Sequence, residues 1–354
     1  MSTIAGSFSY DGAGDAARDA AAQDASTGTS AAFDVSVVVP TYQRPDMLER
    51  CLRAIIAQDY DKTRYEIIVC DDGPDDATRS RVASLARECE QGPRIRYVPV
   101  TATQGPAGAR NAGWRASGAA WIAFTDDDTI PDPQWLASGV AELRAGADAV
   151  SGRIVVPLGP RPTDYEQDAA GLAHTEFATA NTFVTRSALK RVGGFDARFT
   201  SAWREDSDLQ FKLMRTGADI VRSEHAIVLH PVRPARWGVS LSQQKKSQFD
   251  ALLYKKHRTL FKERIRSTPP LLYYAILAVV VIALLAFVNG NATLGLLGLE
   301  VWLALSAWFC LKRLKTTALT RTHILEMAWT SLWIPFLSIY WRLYGAVKFR
   351  VLFV

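Results

Sequence analysis

Trp121-Ile122-Ala123-Phe124-Thr125-Asp126-Asp127-Asp128 joins an apolar run, which begins at Ala119, directly to three consecutive carboxylates. An apolar run this short, ending in polar residues, reads as a buried strand, with the aspartates at the mouth of a cleft. Like charges this close repel one another unless a cation lies among them. Carboxylate oxygen suits Mg2+ or Mn2+, which are usually held by one or two carboxylates plus substrate phosphates. The pattern points to an enzyme that handles a diphosphate, with Asp126, Asp127 and Asp128 as candidate ligands. An EF-hand is excluded, because its required glycine and glutamate positions hold Pro131 and Ala137. A solvated acidic turn is the plain alternative, and the rest of the chain decides between them.

Upstream, strand and helix signals alternate. Residues 35–39 read as a buried strand stopped by Pro40, and residues 46–58 place Met47, Leu48, Cys51, Leu52, Ile55 and Ile56 at helical spacing. A strand at 66–70, a helix at 78–88, a strand at 94–100 and a helix from near Pro106 follow, before the strand that ends at the aspartates. This alternation predicts an α/β fold, a mainly parallel sheet with helices on both faces. Such sheets bind ligands beyond the carboxyl ends of their strands. The clusters Thr41-Tyr42-Gln43-Arg44, Asp71-Asp72-Gly73 and Asp126 to Asp128 all fall there. Gly105 to Asn111 lacks the G-x-G-x-x-G spacing of dinucleotide sites but offers a glycine-bearing helix start suited to an anion. Arg110 adds a charged fork for phosphate, a surface helix-cap arginine being the competing account.

The chain has 354 residues, 48% of them hydrophobic, enough for one sizeable domain and further elements. Residues 1–32 hold almost no large apolar side chains and are expected to be a disordered tail. With neither a basic start nor an apolar core, that tail does not read as a secretory signal. Cys51, Cys70, Cys89 and Cys310 show no zinc or redox spacing and read as reduced thiols of a cytosolic face. From Arg233 to Arg266 ten basic residues oppose only Asp250 and Glu263. That block runs straight into an apolar segment, which favours an anionic membrane surface over nucleic acid.

Six segments occur in one order: VSVVVPTYQRPDML from Val35, EIIVCDDG from Glu66, GPAGARNAGW from Gly105, WIAFTDDDTIPDPQWL from Trp121, VGGFD from Val192 and WREDSDLQFKL from Trp203. Together they resemble the family 2 glycosyltransferases of GT-A fold (Rossmann-like), over about residues 35–230. The resemblance implies that Tyr42 and Asp72 grip the nucleotide base, with Pro40, Arg44, Arg110 and Asp126 completing the donor-nucleotide site. It also places a metal, Mg2+ or Mn2+, on the acidic triplet. Relatives differ in whether the outer pair, Asp126 and Asp128, or the middle Asp127 ligates. A histidine after the Glu-Asp motif often completes that shell, here His230, with His225 as competitor. Glu205-Asp206 opens a helix, where acidic residues are favourable through the helix dipole alone. The family implies more, namely that Asp206 is the general base beside Glu205. Trp203, Arg233, Arg236 and Trp237 are candidates for diphosphate or acceptor contacts. The last three echo the signature of processive polysaccharide synthases, but the glutamine of that signature is missing.

The C-terminal third reads as membrane. Residues 271–288 are an uncharged run of about 27 Å as a helix, at ~1.5 Å per residue. Residues 293–311 form a second candidate, marred by Glu300, and Asn289-Gly290-Asn291 makes the turn between them. Basic residues flank both outer ends, which puts those ends and the catalytic part on the cytoplasmic side of the cell (inner or plasma) membrane. Residues 325–341, interrupted by Pro335 and rich in Trp and Tyr, read as an interfacial helix.

The expected organisation is a tail at 1–32, a GT-A catalytic domain at 33–238, and a basic juxtamembrane segment at 239–268. A transmembrane hairpin at 269–312 and a cytoplasmic or interfacial amphipathic segment at 313–354 complete it. The expected activity is metal-dependent inverting transfer of one sugar from a nucleoside-diphosphate sugar, UDP-linked by preference. The sugar goes to a hydroxyl of a lipid-linked or membrane-proximal acceptor in glycan or glycolipid biosynthesis, the partners being the donor, a lipid-linked or glycan acceptor and the membrane, with no nucleic acid. The alternatives are a processive polysaccharide synthase, which wraps its domain in more membrane helices, and an inactive scaffold, whose acidic positions would have decayed. A sugar nucleotidyltransferase would show a G-x-G-T-R start, where this chain has Pro40 to Arg44.

Overall fold

A computed structural model of the chain describes residues 33–353, so the expected tail at 1–32 lies outside the described residues. The first half alternates as the sequence predicts: β1 (Val35–Thr41), α1 (Pro45–Ile56), β2 (Tyr65–Asp71), α2 (Asp76–Glu88), β3 (Arg94–Pro99), α3 (Pro106–Ala116) and β4 (Trp121–Thr125). There follow β5 (Ile130–Pro131), α4 (Trp135–Arg144), β6 (Ala149–Val155), α5 (Asp164–Ala170), β7 (Asn181–Thr185), α6 (Arg186–Val192), α7 (Glu205–Arg215) and β8 (Ile220–Leu229). One sheet runs β3-β2-β1-β4-β7-β6-β8-β5. Strands β1 to β4 are mutually parallel and β6 is parallel to β8, whereas β7 and β5 run antiparallel to their neighbours.

The unbroken apolar runs of the inner strands follow from burial on both faces. Val37, Val39, Ile67, Val69 and Ala123 pack beneath α1 and α4. Their alternates Val38, Ile68, Cys70, Ile122 and Phe124 pack against α3 and α7. In α1, Leu48, Cys51, Leu52 and Ile55 make the stripe that faces the sheet. Pro40 does not stop β1, which continues to Thr41 with Pro40 opposite Cys70. The β4 pairing of β1 ends at Val38, so the N–H that proline lacks falls beyond that ladder. Strand order reverses between β1 and β4, the switch point at which α/β sheets bind ligands.

Beyond β8 the chain forms α8 (Val239–Gln243), which has no buried residue, and then α9 (Gln248–Lys256) and α10 (Arg258–Arg264) against the α7 face of the sheet. The apolar helices α11 (Leu271–Val288) and α12 (Ala292–Leu314) are each long and apolar enough to cross a membrane. Most of their side chains are exposed, Glu300 among them. The long helix α13 (Arg321–Lys348) returns to the catalytic unit. Its Gly345 lies so close to Gln248 that an added Cβ would fall 2.4 Å from that backbone oxygen. Phe353 then closes over Tyr254 and Phe261, with ring centroids 5.1 and 5.5 Å away. Arg313, at the end of α12, binds Asp164 of α5 at 2.7 Å and donates to Thr330 and Ser331 of α13.

Candidate active site

The acidic turn after β4 is pinned from below. Thr129 donates to the Asp126 carbonyl at 2.7 Å and shares its hydroxyl with Thr125, also at 2.7 Å. The three carboxylates then diverge. Asp126 and Asp128, with His230 from the end of β8, bring one oxygen or ring nitrogen each within 4.8 Å of one another. A backbone hydrogen bond from His230 to the Val155 carbonyl, 2.8 Å long, holds the histidine there. Asp127 turns the other way, accepting from Thr41 at 2.8 Å and pairing with Arg44 at 3.0 Å. Asp127 therefore ties the turn to the end of β1 and stands outside the Asp126–Asp128–His230 group. Burial pushes its carboxyl up to about 7, Arg44 opposing the shift.

Arg110 lies beneath this group, only 2% exposed. Its two terminal nitrogens bind Asp126 at 2.7 Å and Glu205 at 3.2 Å, so α3 braces the acidic turn against the start of α7. The fork expected to meet phosphate is spent on carboxylates. Burial works against the Asp126 charge, yet Arg110 and His230 outweigh it and hold the pKa below the usual carboxylate range. Glu205 is pushed up to about 8, by burial first and then by the neighbouring Asp206. Asp206 is raised by burial too, while a 2.5 Å hydrogen bond from the Thr179 hydroxyl favours its charged form. Arg204, just before, has φ 74°, a left-handed conformation that non-glycine residues rarely adopt.

Asp126, Asp206, His230, Arg233 and Trp203 open onto one cleft of about 490 Å3. Its far wall comes from Tyr165, Asp168, Leu172 and Phe177, which belong to none of the six quoted segments. Arg233 reaches back to Asp128 at 3.0 Å. Arg236 and Trp237 are not brought to this cleft. They line a separate groove beside His323 and Met327 of α13, and Trp237 is largely exposed. His225 is exposed on the bulged part of β8, away from the acidic group.

The strand ends β1 and β2 make a neighbouring shelf. Tyr42 is 52% exposed and its ring crosses Gly73, where an added Cβ would meet it at 2.5 Å. Asp71 is engaged by Tyr97 and the Gly73 N–H. Asp72 accepts from the Gly105 N–H at 2.6 Å, while its other carboxylate oxygen is buried with no partner among the described residues. Gly105 needs its place: φ is 93°, and a Cβ would fall 2.6 Å from the Thr200 carbonyl oxygen. Pro40 lies buried in β1 beneath this shelf. The arrangement offers an acceptor and an aromatic face to a base, hard ligands to a cation, and a carboxylate to an acceptor hydroxyl.

Sequence reasoning missed Thr179, which no motif marks, and Thr41, Thr125 and Thr129, whose flanking of the triplet was the available signal. It also missed Asn181, whose side chain joins β6, β8 and Trp135 behind the site.

The family model described as "Glycosyl transferase family 2" matches residues 36–208, which contain the site residues from Pro40 to Asp206 but not β8, His225, His230, Arg233, Arg236 or Trp237. "Glycosyltransferase AglE" of Haloferax volcanii is 29% identical over 212 residues, 56% of this chain and 67% of that protein. "GalNAc(5)-diNAcBac-PP-undecaprenol beta-1,3-glucosyltransferase" of Campylobacter jejuni is 37% identical over 95 residues, 27% of this chain and 29% of that one. Other curated relatives are matched over little more than half of their length, 54% and 59% in two cases. In fold the chain is similar to the solved "Mannosyltransferase PcManGT from Pyrobaculum calidifontis in complex with GDP-Man and Mn2+", with TM-score 0.54 and 20% identity over 89% of this chain and 93% of that one. With the motif order, the sheet topology and the acidic cleft agreeing with the family match, this chain belongs through residues 36–208 to the family 2 glycosyltransferases and is a glycosyltransferase of GT-A fold.

Proposed function

We propose that the protein is a metal-dependent inverting glycosyltransferase that moves one sugar from a nucleoside-diphosphate sugar, UDP-linked by preference, to a hydroxyl of a lipid-linked acceptor. The observation that carries this reading is that Asp126 and His230, grouped with Asp128, line one cleft with Asp206. Two carboxylate oxygens and an imidazole suit Mn2+ or Mg2+, with the imidazole favouring Mn2+. Such a cation supplies charge stabilisation for the departing diphosphate. The chain's own groups do the rest. Tyr42 stacks on the base, the free Asp72 oxygen accepts from a base N–H, and Arg233 stands beside Asp128 to meet phosphate charge. Asp206 takes the proton of the acceptor hydroxyl as that oxygen forms its bond to the anomeric carbon and the bond to diphosphate breaks on the opposite face. One base and no enzyme nucleophile give a single displacement, hence inversion.

The relative from Campylobacter jejuni is named for a diphosphate-linked undecaprenol acceptor, which supports a lipid-linked substrate here. The hairpin of α11 and α12, flanked by basic residues at both outer ends, is proposed to hold the catalytic domain at the cytoplasmic face of the cell membrane. Helix α13 would lie along the interface, its stripe of buried residues against protein and Trp329, Trp333 and Tyr340 outward. The role is then a single step in glycan or glycolipid assembly. The test is a titration of full-length protein with UDP. Affinity should fall about tenfold or more, some 1.4 kcal/mol, in EDTA or in an Asp126→Asn/Asp128→Asn variant. Equal affinity in all three sinks the metal assignment, and tighter binding of GDP or another nucleotide replaces the uridine assignment.

A further inference from the structure

We propose that a second cleft, between the catalytic domain and the hairpin, binds the diphosphate of a long-chain lipid whose attached sugar is presented to Asp206. The inference rests on the glycosyl-transfer reading above and specifies its acceptor. The cleft has a volume of about 690 Å3 and lies where α11 begins and α12 ends. It shares Tyr165, Asp168, Trp203, Gln243 and Lys246 with the catalytic cleft, so the two adjoin along a common wall. At the hairpin side the wall is apolar: Leu271, Leu272 and Phe309.

Charge decides what belongs there. Arg313 is committed to Asp164 at 2.7 Å, which neutralises both. Lys246, Arg266 and Lys312 also face the cleft, and none has an ion-pair partner among the described residues. Among the described residues that line the cleft, Asp168 is the one carboxylate besides Asp164. Burial holds the Lys246 ammonium below the usual lysine range, so a counter-anion there gains from weak solvent competition. Lysine ammonium and arginine fork are the side chains that take up phosphate. A free nucleotide has no use for the apolar side, and an ordinary anionic phospholipid has no group to send on towards Asp206. An amphiphile with a diphosphate at the membrane surface and a saccharide beyond it fits both ends of the space.

The test uses full-length protein in neutral detergent without divalent cation, titrated with farnesyl diphosphate. Arg266→Gln/Lys312→Gln, in which both residues are exposed and folding is spared, and Lys246→Gln should each weaken binding about tenfold or more. UDP affinity of the Arg266/Lys312 variant with Mn2+ should stay within about twofold of wild type. The Asp126→Asn/Asp128→Asn variant should bind farnesyl diphosphate as wild type does, which separates this cleft from the nucleotide site. Undiminished binding by the Arg266/Lys312 variant overturns the proposal. So does competition by inorganic diphosphate or phosphatidylglycerol as effective as that of the probe. If UDP fails to bind while the probe binds and responds to the variants, the glycosyl-transfer reading falls and this site stands.

Discussion

Asp206 concentrates the chemistry of the proposed reaction. An alcohol is a weak nucleophile at neutral pH, and a positioned base contributes roughly 10²–10⁴-fold. Asp206→Asn should retain fold and donor affinity while turnover falls by about two orders of magnitude or more. Steady-state transfer near the wild-type rate would remove the residue from that role. Thr179 provides a finer test, since its hydroxyl donates to the charged Asp206 carboxylate and opposes the effect of burial. Activity requires the ionised base and is lost as pH falls through its pKa. Thr179→Val deletes the donor and keeps the shape, so the acid limb of the kcat/KM profile should move upward by about one unit, ~1.4 kcal/mol. An unmoved limb would mean that another group sets it. Arg110 contributes through stability. Removing its guanidinium in Arg110→Met leaves Asp126 and Glu205 without their shared partner, a loss of about 3–5 kcal/mol for a broken buried pair. Thermal denaturation should show it, and Arg110→Lys should recover only part, because an ammonium lacks the fork that spans both carboxylates.

Helix α7 shows how the elements carry that residue into place. Its acidic first turn suits the helix dipole, but Asp208 goes further: fully buried, it is bound by Lys256 at 2.6 Å, His257 at 2.9 Å and Lys212 at 3.3 Å. Lys256 also reaches Asp196, so the segment leading to the hairpin is clamped to the helix that bears the base. Burial opposes the Asp208 charge, yet His257 and Lys256 win and depress its pKa. Its stabilising contribution is therefore complete above the ordinary carboxylate range and lost as pH falls through the lowered value. Lys256→Met should lower Tm at pH 7, and the gap to wild type should narrow towards pH 3; a gap independent of pH would refute the clamp. Strands β1, β2 and β4 were legible because both faces are buried and each run ends in polar residues at the sheet's carboxyl edge. The second half was not. Strand β8 breaks its register between Ser223 and Ile227, opposite Gly152 and Arg153, and β7 reverses direction, so neither keeps a clean period. Site residues were legible as types and less so as partners. Nothing in three adjacent aspartates says that the middle one faces Thr41 and Arg44, or that Arg110 turns inward.

The whole molecule joins a soluble-type catalytic unit to two apolar helices and then brings the chain back through α13, so the parts are not separable at residue 266 as a simple tail would be. Cutting there removes Gly345 and Phe353 from their seats against Gln248 and Tyr254 and exposes Phe249 and Phe261. The proposed membrane attachment would have two terms. The basic residues contribute about 1 kcal/mol each near an anionic surface and are screened by salt, whereas the hairpin is not. Full-length protein should therefore stay with membranes through a high-salt wash and leave only with detergent; release by salt alone would contradict the hairpin. The central claim, metal-dependent glycosyl transfer from a nucleotide sugar, is tested most directly by free nucleotide release from a panel of nucleotide sugars. The assay uses full-length protein in detergent with Mn2+, with EDTA, and as the Asp126→Asn/Asp128→Asn variant. One donor, expected to be UDP-linked, should be turned over with Mn2+ and neither in EDTA nor by the variant, whereas undiminished release under all three conditions would contradict the account.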